Sequence, residues 1–454
     1  MKIEFLTRQP ENTRLILIVC GWSTGPEVIP DISIKGWDMA IIHDFSDLEI
    51  DSSFLNSYYT VYLYAWSLGV FAASRLIPAD KITCAFAING TLSPADDNKG
   101  IPIAIYNGTL STLDERNLKK FRLRMYGDKQ MLEVFDKTGP ADIEGLKKQL
   151  SAILDLQFTK EDSAIKELPW VRAYISRDDR IFPPANQKNA WEMEPDTEIV
   201  ELEGHHYPDF NAIIRMTIAD TETVAHRFHK AADTYDTHAI AQYSSAIKLA
   251  GLLGERRFPS FPKILEIGCG TGLFTREYSR IVHPSKATFV DITSTGPFKI
   301  ADDEEYFIED AEKWIERNHQ QWDMILSASA IQWFADIPRF LHLCSERLRA
   351  DGILAISTFL PGNMSELDAY RPAPLIYPRA EELRKWLERD YDEIQVIEDE
   401  IRVEFKSVRE MLMHLKHTGV GGSAQGPGIS VKDMAHLNSL TYRPVYALGR
   451  KKKK

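Results

Sequence analysis

The chain has 454 residues, of which 44% are apolar and 26% charged, a globular balance at about three modal domain lengths that makes two α/β domains the simplest partition. The formal net charge of −12 argues against a nucleic-acid partner held by bulk electrostatics, and no apolar run reaches the ~18 residues of a membrane span. Cys20, Cys84, Cys269 and Cys344 are scattered without CxxC spacing and the N-terminus lacks an apolar leader core, so no disulfide framework and no metal site are expected, in a reducing, cytoplasmic setting.

Short apolar runs at 14–20, 37–42, 60–65, 81–89, 170–175 and 198–202 predict strands of a largely parallel, doubly covered sheet. Residues 113–156, rich in Lys, Arg, Glu and Leu at helical spacing, predict an inserted helical cap. The pattern then changes. Residues 209–254 read as helical, with Phe228, Ala231, Tyr235, Ala239, Tyr243 and Ile247 near i, i+3/i+4 spacing, and a fresh strand series follows at 262–267, 287–291, 322–327 and 352–358. The expected division is 1–215 and 216–454. The Lys451–Lys454 run reads as a solvated tail.

In the first half the strand TVYLY runs into Ala65-Trp66-Ser67-Leu68-Gly69 and then a helix-like VFAASRL. Strand, sharp turn and helix are the context of a nucleophile elbow, with Ala65 in place of the usual first glycine; the alternative is an ordinary N-cap serine. Asp179 and His206 follow in the order acid then base, each after a predicted strand, which assigns Ser67 as nucleophile, His206 as general base and Asp179 as its orienting carboxylate. Asp178 and His205 stay open as rivals. The backbone N–H groups of Leu68 and Trp22 are candidates for an oxyanion hole, although the Trp22 ring could equally be packing.

Gly21-Trp22, Trp66-Ser67-Leu68-Gly69, Phe121 with Arg124-Met125, Asp179 with Ile181-Phe182-Pro183-Pro184 and Asn186-Gln187, and His206-Tyr207-Pro208 together resemble the BioG family of pimeloyl-carrier-protein methyl ester esterases. The resemblance implies an α/β-hydrolase fold and hydrolysis of the methyl ester on a pimeloyl chain held by acyl carrier protein. Trp22, Arg122 and Arg124 are then substrate-side candidates, and Lys119, Lys120, Arg122 and Arg124 form either a docking face for the acidic carrier or a solvated helix face.

In the second half, strand PKILEI feeds Glu266-Ile267-Gly268-Cys269-Gly270-Thr271-Gly272, whose glycines let a ligand approach the carboxyl end of the first strand. A nicotinamide site would read G-x-G-x-x-G instead. Asp291, at the end of the next strand, is placed for ribose hydroxyls, and Asp310-Ala311 is similar to the pair that contacts the adenine in class I methyltransferases. The segment resembles class I (Rossmann-like) methyltransferases, which implies S-adenosylmethionine as cofactor and Glu266, Gly268, Gly270, Gly272, Asp291, Asp310 and Ala311 around it. Phe228 to Gln242, Ser327 to Phe334, Ser357-Thr358-Phe359 and Leu415 to Val420 further resemble the BioC family, which methylates the free carboxyl of malonyl-acyl carrier protein at the start of biotin synthesis. Tyr235, Gln332, Trp333 and Phe359 are candidates for the acceptor pocket. An ionised carboxylate needs orientation and desolvation more than a base, so no essential base is expected.

The two activities pair chemically, because a methyl ester masks a charge that chain-elongating enzymes would otherwise have to desolvate, and a later hydrolysis restores it. The alternatives are one inactive half serving as a carrier-docking module, or the same chemistries on other substrates.

Overall fold

The computed structural model describes residues 1–127, 133, 141–159, 167–368, 370, 375–419, 434 and 436–453. Residues 128–132 and 134–140 of the expected cap, together with Val420 and Lys454, lie outside that set. The chain separates into two compact units, Met1–Ile213 and Ile214–Lys454. The break falls within a helix, Phe210–Thr217.

The first unit is a seven-stranded sheet of β1 (Lys2–Thr7), β2 (Arg14–Val19), β3 (Trp37–His43), β4 (Thr60–Trp66), β5 (Cys84–Ile88), β6 (Trp170–Ser176) and β7 (Glu198–Leu202), in spatial order β1-β3-β2-β4-β5-β6-β7. All neighbours are parallel except β1, which runs antiparallel to β3. The central strands β2 and β4 are buried along their whole length, as a sheet covered on both faces requires. Edge strand β1 alternates exposed and half-buried residues and carries Lys2 and Glu4, so it gives no continuous apolar run. Helix α1 (Leu68–Leu76) follows β4, and α2 (Ile103–Ser111), α3 (Glu115–Tyr126) and α4 (Ile143–Phe158) come between β5 and β6. Asp114 and Asp142 start α3 and α4 by accepting the N–H of Asn117 and Gly145, and Gly127 ends α3 in the left-handed region. Helix α5 (Pro184–Trp191) lies between β6 and β7, and α6 is Phe210–Thr217.

In the second unit the helical stretch is broken at two points. Asp220 caps α7 (Thr221–His238) through the Thr223 N–H, and Ala239 separates α7 from α8 (Ile240–Gly254). The sheet comprises β8 (Lys263–Ile267), β9 (Lys286–Asp291), β10 (Asp303–Ile308), β11 (Trp322–Ala328), β12 (Leu348–Phe359), β13 (Tyr391–Glu398) and β16 (Pro444–Lys451), in order β10-β9-β8-β11-β12-β16-β13. β16 is antiparallel to both neighbours and the remaining pairs are parallel. The order reverses at β8, the Rossmann-like switch point where ligands bind beyond the strand ends. Helices α9 (Leu273–Tyr278), α10 (Ala311–Arg317), α11 (Ile337–Arg347), α12 (Ala380–Asp390) and α13 (Val408–His417) complete the unit, with a β14 (Ile401–Glu404) and β15 (Ser439–Tyr442) ribbon.

The first half of the lysine run is not the solvated tail expected, although Lys453 is exposed. Lys451 ends β16 and its Nζ donates to Leu348 O at 2.6 Å, while Lys452 N reaches Asp390 O at 3.0 Å. No helix among the described residues is long and apolar enough to cross a membrane, and none of their His, Cys, Asp and Glu side chains group as a metal site.

Candidate functional site

Two sites stand at the carboxyl ends of the two sheets. In the first unit β4 stops at Trp66 and the chain turns into α1 through Ser67, a non-glycine residue held at φ 60°. Such strain persists only where the surroundings over-determine it. Gly69 makes the turn possible, because a Cβ there would lie 2.5 Å from Val19 O and 2.6 Å from Cys20 O at the end of β2. Ser67 Oγ lies 2.8 Å from His206 Nε2, and His206 Nδ1 lies 2.8 Å from Asp179 Oδ2. All three residues are buried. Asp179 also accepts the N–H groups of Ile181 and Phe182 and the Gln187 amide, which fix its carboxylate in place.

The rivals are not brought to the serine. His205 faces the backbone carbonyl of Asp178 at 3.4 Å, and the Asp178 side chain is exposed. His206 is held through its own carbonyl, which accepts Trp66 Nε1 at 2.9 Å and Asn89 Nδ2 at 2.8 Å. Asn89, Gln187 and Phe182, whose ring stacks 6.0 Å from His206, are supporting residues without a role in the sequence reading. Phe182 and Gln187 stand in the segment that carries the family resemblance, but no role is assigned to them there, and Asn89 has its partners, Ser176 and His206, far along the chain.

Leu68 is the first residue of α1, so its N–H has no intrahelical acceptor, and the Trp22 N–H meets no acceptor among the described residues. The Trp22 ring is packing as well. It lies 4.9 Å from the Phe121 ring of α3 and donates Nε1–H to Leu146 O of α4, tying the strand end to the cap helices. An apolar slot lined by Trp22, Ile101, Ile105, Phe121, Leu150 and Ile181 reaches Ser67, with Arg124 and Arg180 exposed along it. Its free volume is small, about 30 Å³. Arg122 does not line this slot. Its Nη2 donates to Ser23 O, because it sits one residue round α3 from the face that covers the serine.

In the second unit a cavity of about 820 Å³ opens over the loop between β8 and α9. Gly268, Gly270 and Gly272 all have positive φ, at 67°, 52° and 83°. A Cβ on Gly268 would lie 2.2 Å from Ala330 Cβ, whereas nothing lies within 4 Å of one on Gly270, so the loop is closed by protein on one side and open on the other. Asp291 ends β9 and accepts Gly270 N on Oδ2 at 2.8 Å and Thr293 N on Oδ1 at 2.8 Å. Burial raises its pKa against these hydrogen bonds. Asp310 and Ala311 line the cavity, and Asp310 also caps α10 through the N–H of Glu312 at 3.0 Å.

Glu266 borders the cavity, with Oε2 accepting Thr275 Oγ1–H and Tyr278 Oη–H, both at 2.7 Å. Burial pushes its pKa up to about 7, partly offset by those two donors. A carboxyl with a raised folded-state pKa stabilises fully below its unfolded value of 4.5 and loses that contribution as pH rises through about 7. Glu266→Gln is therefore expected to gain stability over the parent protein from about pH 5 to about pH 8, by about 3 kcal/mol. Calorimetric scans of the cofactor-free protein check this; a gap between variant and parent that does not change with pH contradicts it.

Tyr235 and Trp333 line the cavity, and Phe228 packs against both, with ring centroids at 6.2 Å and 5.7 Å. Gln332 and Phe359 do not. Gln332 braces its own turn, donating to Ser329 O at 2.6 Å and accepting Thr358 Oγ1–H at 3.4 Å. Phe359 is 4% exposed among Met364, Met411 and Tyr442, because its register on β12 turns it to a separate core. Glu266, Asp291, Asp310 and Glu312 give one side of this cavity an acidic wall, and Arg276 and Arg280 line it as well. That wall and the open glycine loop fit a cationic, nucleoside-bearing ligand.

A family model described as pimeloyl-ACP methyl esterase BioG matches residues 1–215, and a methyltransferase-domain model matches residues 235–396. A malonyl-[acyl-carrier protein] O-methyltransferase of Bacteroides fragilis is 32% identical over 473 residues, covering 98% of this chain and 94% of the relative. This chain belongs to the malonyl-[acyl-carrier protein] O-methyltransferase family. A family member from Porphyromonas gingivalis is 31% identical and aligns with 53% of this chain and 99% of its own length. A crystal structure of BioG from Haemophilus influenzae is 34% identical, covers 46% of this chain and 94% of its own, and has a TM-score of 0.41. This member of the malonyl-[acyl-carrier protein] O-methyltransferase family is an enzyme that carries a BioG region ahead of its methyltransferase domain. The second sheet is the class I methyltransferase fold, and S-adenosylmethionine is the cofactor.

Proposed function

We propose that this chain is a bifunctional enzyme of biotin-precursor synthesis: residues 216–454 methylate the free carboxyl of malonyl-acyl carrier protein, and residues 1–215 hydrolyse the methyl ester of pimeloyl-acyl carrier protein. The observation that carries the second activity is the relay Ser67–His206–Asp179 at 2.8 Å and 2.8 Å, on a strained strand-to-helix turn. The parallel sheet with one antiparallel edge, the turn after β4 and the cap between β5 and β6 support an α/β-hydrolase reading of this half.

In that reading His206 Nε2 takes the Ser67 proton as Oγ attacks the ester carbonyl, and the oxyanion is met by the N–H groups of Leu68 and Trp22. His206 then returns the proton to the departing methoxide, giving methanol and an acyl-serine. Water attacks that ester with His206 again as base, releasing the carboxylate and restoring the serine. Asp179 keeps the imidazole oriented. A fluorophosphonate probe tests the assignment: an adduct on the Ser67 peptide is expected, and an unmodified Ser67 with ester hydrolysis intact overturns it.

For the methyltransferase half, the residues that would hold S-adenosylmethionine are Asp291 toward the ribose hydroxyls, Asp310 and Ala311 toward the adenine, Glu266 as part of the acidic wall, and Gly268, Gly270 and Gly272 as the loop beneath. When bound, the cofactor supplies an electrophilic methyl group. The protein's part is to align the acceptor carboxylate and exclude water, with Tyr235 and Trp333 as walls. Asp291→Ala is expected to weaken cofactor binding by about 1.5–3 kcal/mol through loss of a charge-assisted pair, with ester hydrolysis unchanged. Titration calorimetry with S-adenosylhomocysteine checks it, and unaltered affinity contradicts the ribose role. Carrier docking through Lys119, Lys120 and Arg124, which are exposed on α3, fits the acidic partner that both substrates share.

A further inference from the structure

The cavity of the second unit has more hydrogen-bonding capacity than the protein itself uses. Trp333 Nε1, Ser329 Oγ and Gln242 Oε1 are buried, and none has a hydrogen-bond partner among the described residues. All three residues line the cavity, and Gln242 is 5% exposed. Buried polar atoms are normally satisfied, so three orphans facing one cavity point to a ligand that completes them.

Their positions are not those of the nucleoside end. Ser329 and Trp333 belong to the loop after β11, and Gln242 to the first turn of α8. Asp291 and Asp310 follow β9 and β10, on the other side of β8. Ser329 is held at φ 53°, its N–H donating to Ser357 O at 3.0 Å and Ser357 Oγ at 3.2 Å, so the strain in this loop is maintained by its neighbours. Trp333 is fixed edge-to-face on Phe228 of α7, at 89° between ring planes. Its N–H is a pure donor and the Ser329 hydroxyl can donate, while Gln242 presents an acceptor, Oε1, and brings its amide N–H pair to an anion by a half-turn of the carboxamide. Aromatic walls with converging neutral donors suit a small anion that must be desolvated but remain nucleophilic. A lysine or arginine in the same place would pair with the carboxylate and draw off its electron density.

We infer that Trp333 Nε1–H, Ser329 Oγ–H and the Gln242 carboxamide form the subsite that binds the acceptor's carboxylate and adjoining thioester carbonyl, and so set selectivity for a short dicarboxylic half-thioester. This rests on the methyltransferase reading above and names the groups that would select its acceptor. The three residues orient the acceptor and move no proton.

The test is steady-state kinetics and calorimetry on the full chain with Trp333→Phe, which keeps the ring on Phe228 and removes only the donor. The KM for malonyl-acyl carrier protein is expected to rise at least about tenfold, as for loss of one hydrogen bond to a charged group, while the S-adenosylhomocysteine Kd stays within about twofold. Ser329→Ala should shift the same parameter in the same direction. A tenfold weaker S-adenosylhomocysteine Kd would assign these groups to the cofactor and overturn the inference, as would an unchanged KM in both variants. If the parent protein itself leaves malonyl-acyl carrier protein unmethylated, the proposed function falls and the subsite with it. If the parent methylates and the variants match it, the subsite alone falls.

Discussion

Replacing Ser67 by alanine is expected to reduce hydrolysis of methyl-pimeloyl-acyl carrier protein by about 10⁴-fold or more, while methyl transfer to malonyl-acyl carrier protein continues within about twofold. The size of the effect follows from what is left behind. His206 and Asp179 keep their 2.8 Å contact and the Leu68 and Trp22 N–H groups keep their places, but no nucleophile remains for the base to activate. The fold should tolerate the change, since Oγ is the only atom removed and the turn is also set by Ser67 N donating to Ile88 O at 2.9 Å and by the packing of Gly69 on the end of β2. Mass analysis of the carrier-bound chain reads the result. Hydrolysis surviving at the parental rate would remove Ser67 from the reaction.

The mirror experiment is Gly268→Arg. Gly268 sits at φ 67°, and even a methyl group there would lie 2.2 Å from Ala330 Cβ, so a side chain must either displace the loop after β11 or force the backbone out of the left-handed region. Left-handed strain costs about 1–3 kcal/mol in a non-glycine residue, and an arginine adds bulk, so cofactor affinity should fall at least about a hundredfold. Ester hydrolysis should be unaffected, because none of the groups around Ser67 lies in the second unit. Binding of S-adenosylhomocysteine near the parental Kd would show that the glycine loop does not carry the cofactor. Mixing the two variants should restore both reactions in one tube.

How much of this was legible depended on how local the signal is. Strands such as 14–19 and 60–66 announce themselves because both faces are covered and, after Arg14 and Thr60, the residues are apolar or aromatic. β1 alternates and carries charges, and β13 and β16 mix polar and apolar residues at the far side of the second sheet, so their pairing is decided by partners remote in sequence. Lys451 misled for the same reason: a strand end held by Leu348 O has no signature in four consecutive lysines. At the sites, the turn around Ser67 and the glycine loop are short contiguous patterns, and the structure brings Ser67, His206 and Asp179 together at hydrogen-bonding distance. Roles set by register were not readable. Phe359, Gln332, Gln242 and Ser329 all sit in segments that carry the family resemblance, yet Phe359 faces a separate core and Gln332 braces its own turn, whereas Gln242 and Ser329, which are given no role there, face the cavity.

In the proposed reading one chain both makes and removes a methyl ester on carrier-bound acyl groups, at two sites complete in themselves. Its most direct test is mass spectrometry of malonyl-acyl carrier protein and of methyl-pimeloyl-acyl carrier protein, each incubated with the purified full chain with and without S-adenosylmethionine. The malonyl carrier should gain the mass of one methylene only when the cofactor is present, and the methyl-pimeloyl carrier should lose the same mass whether it is present or not. A malonyl carrier that stays unchanged with cofactor, or a methyl-pimeloyl ester that survives incubation, would contradict it.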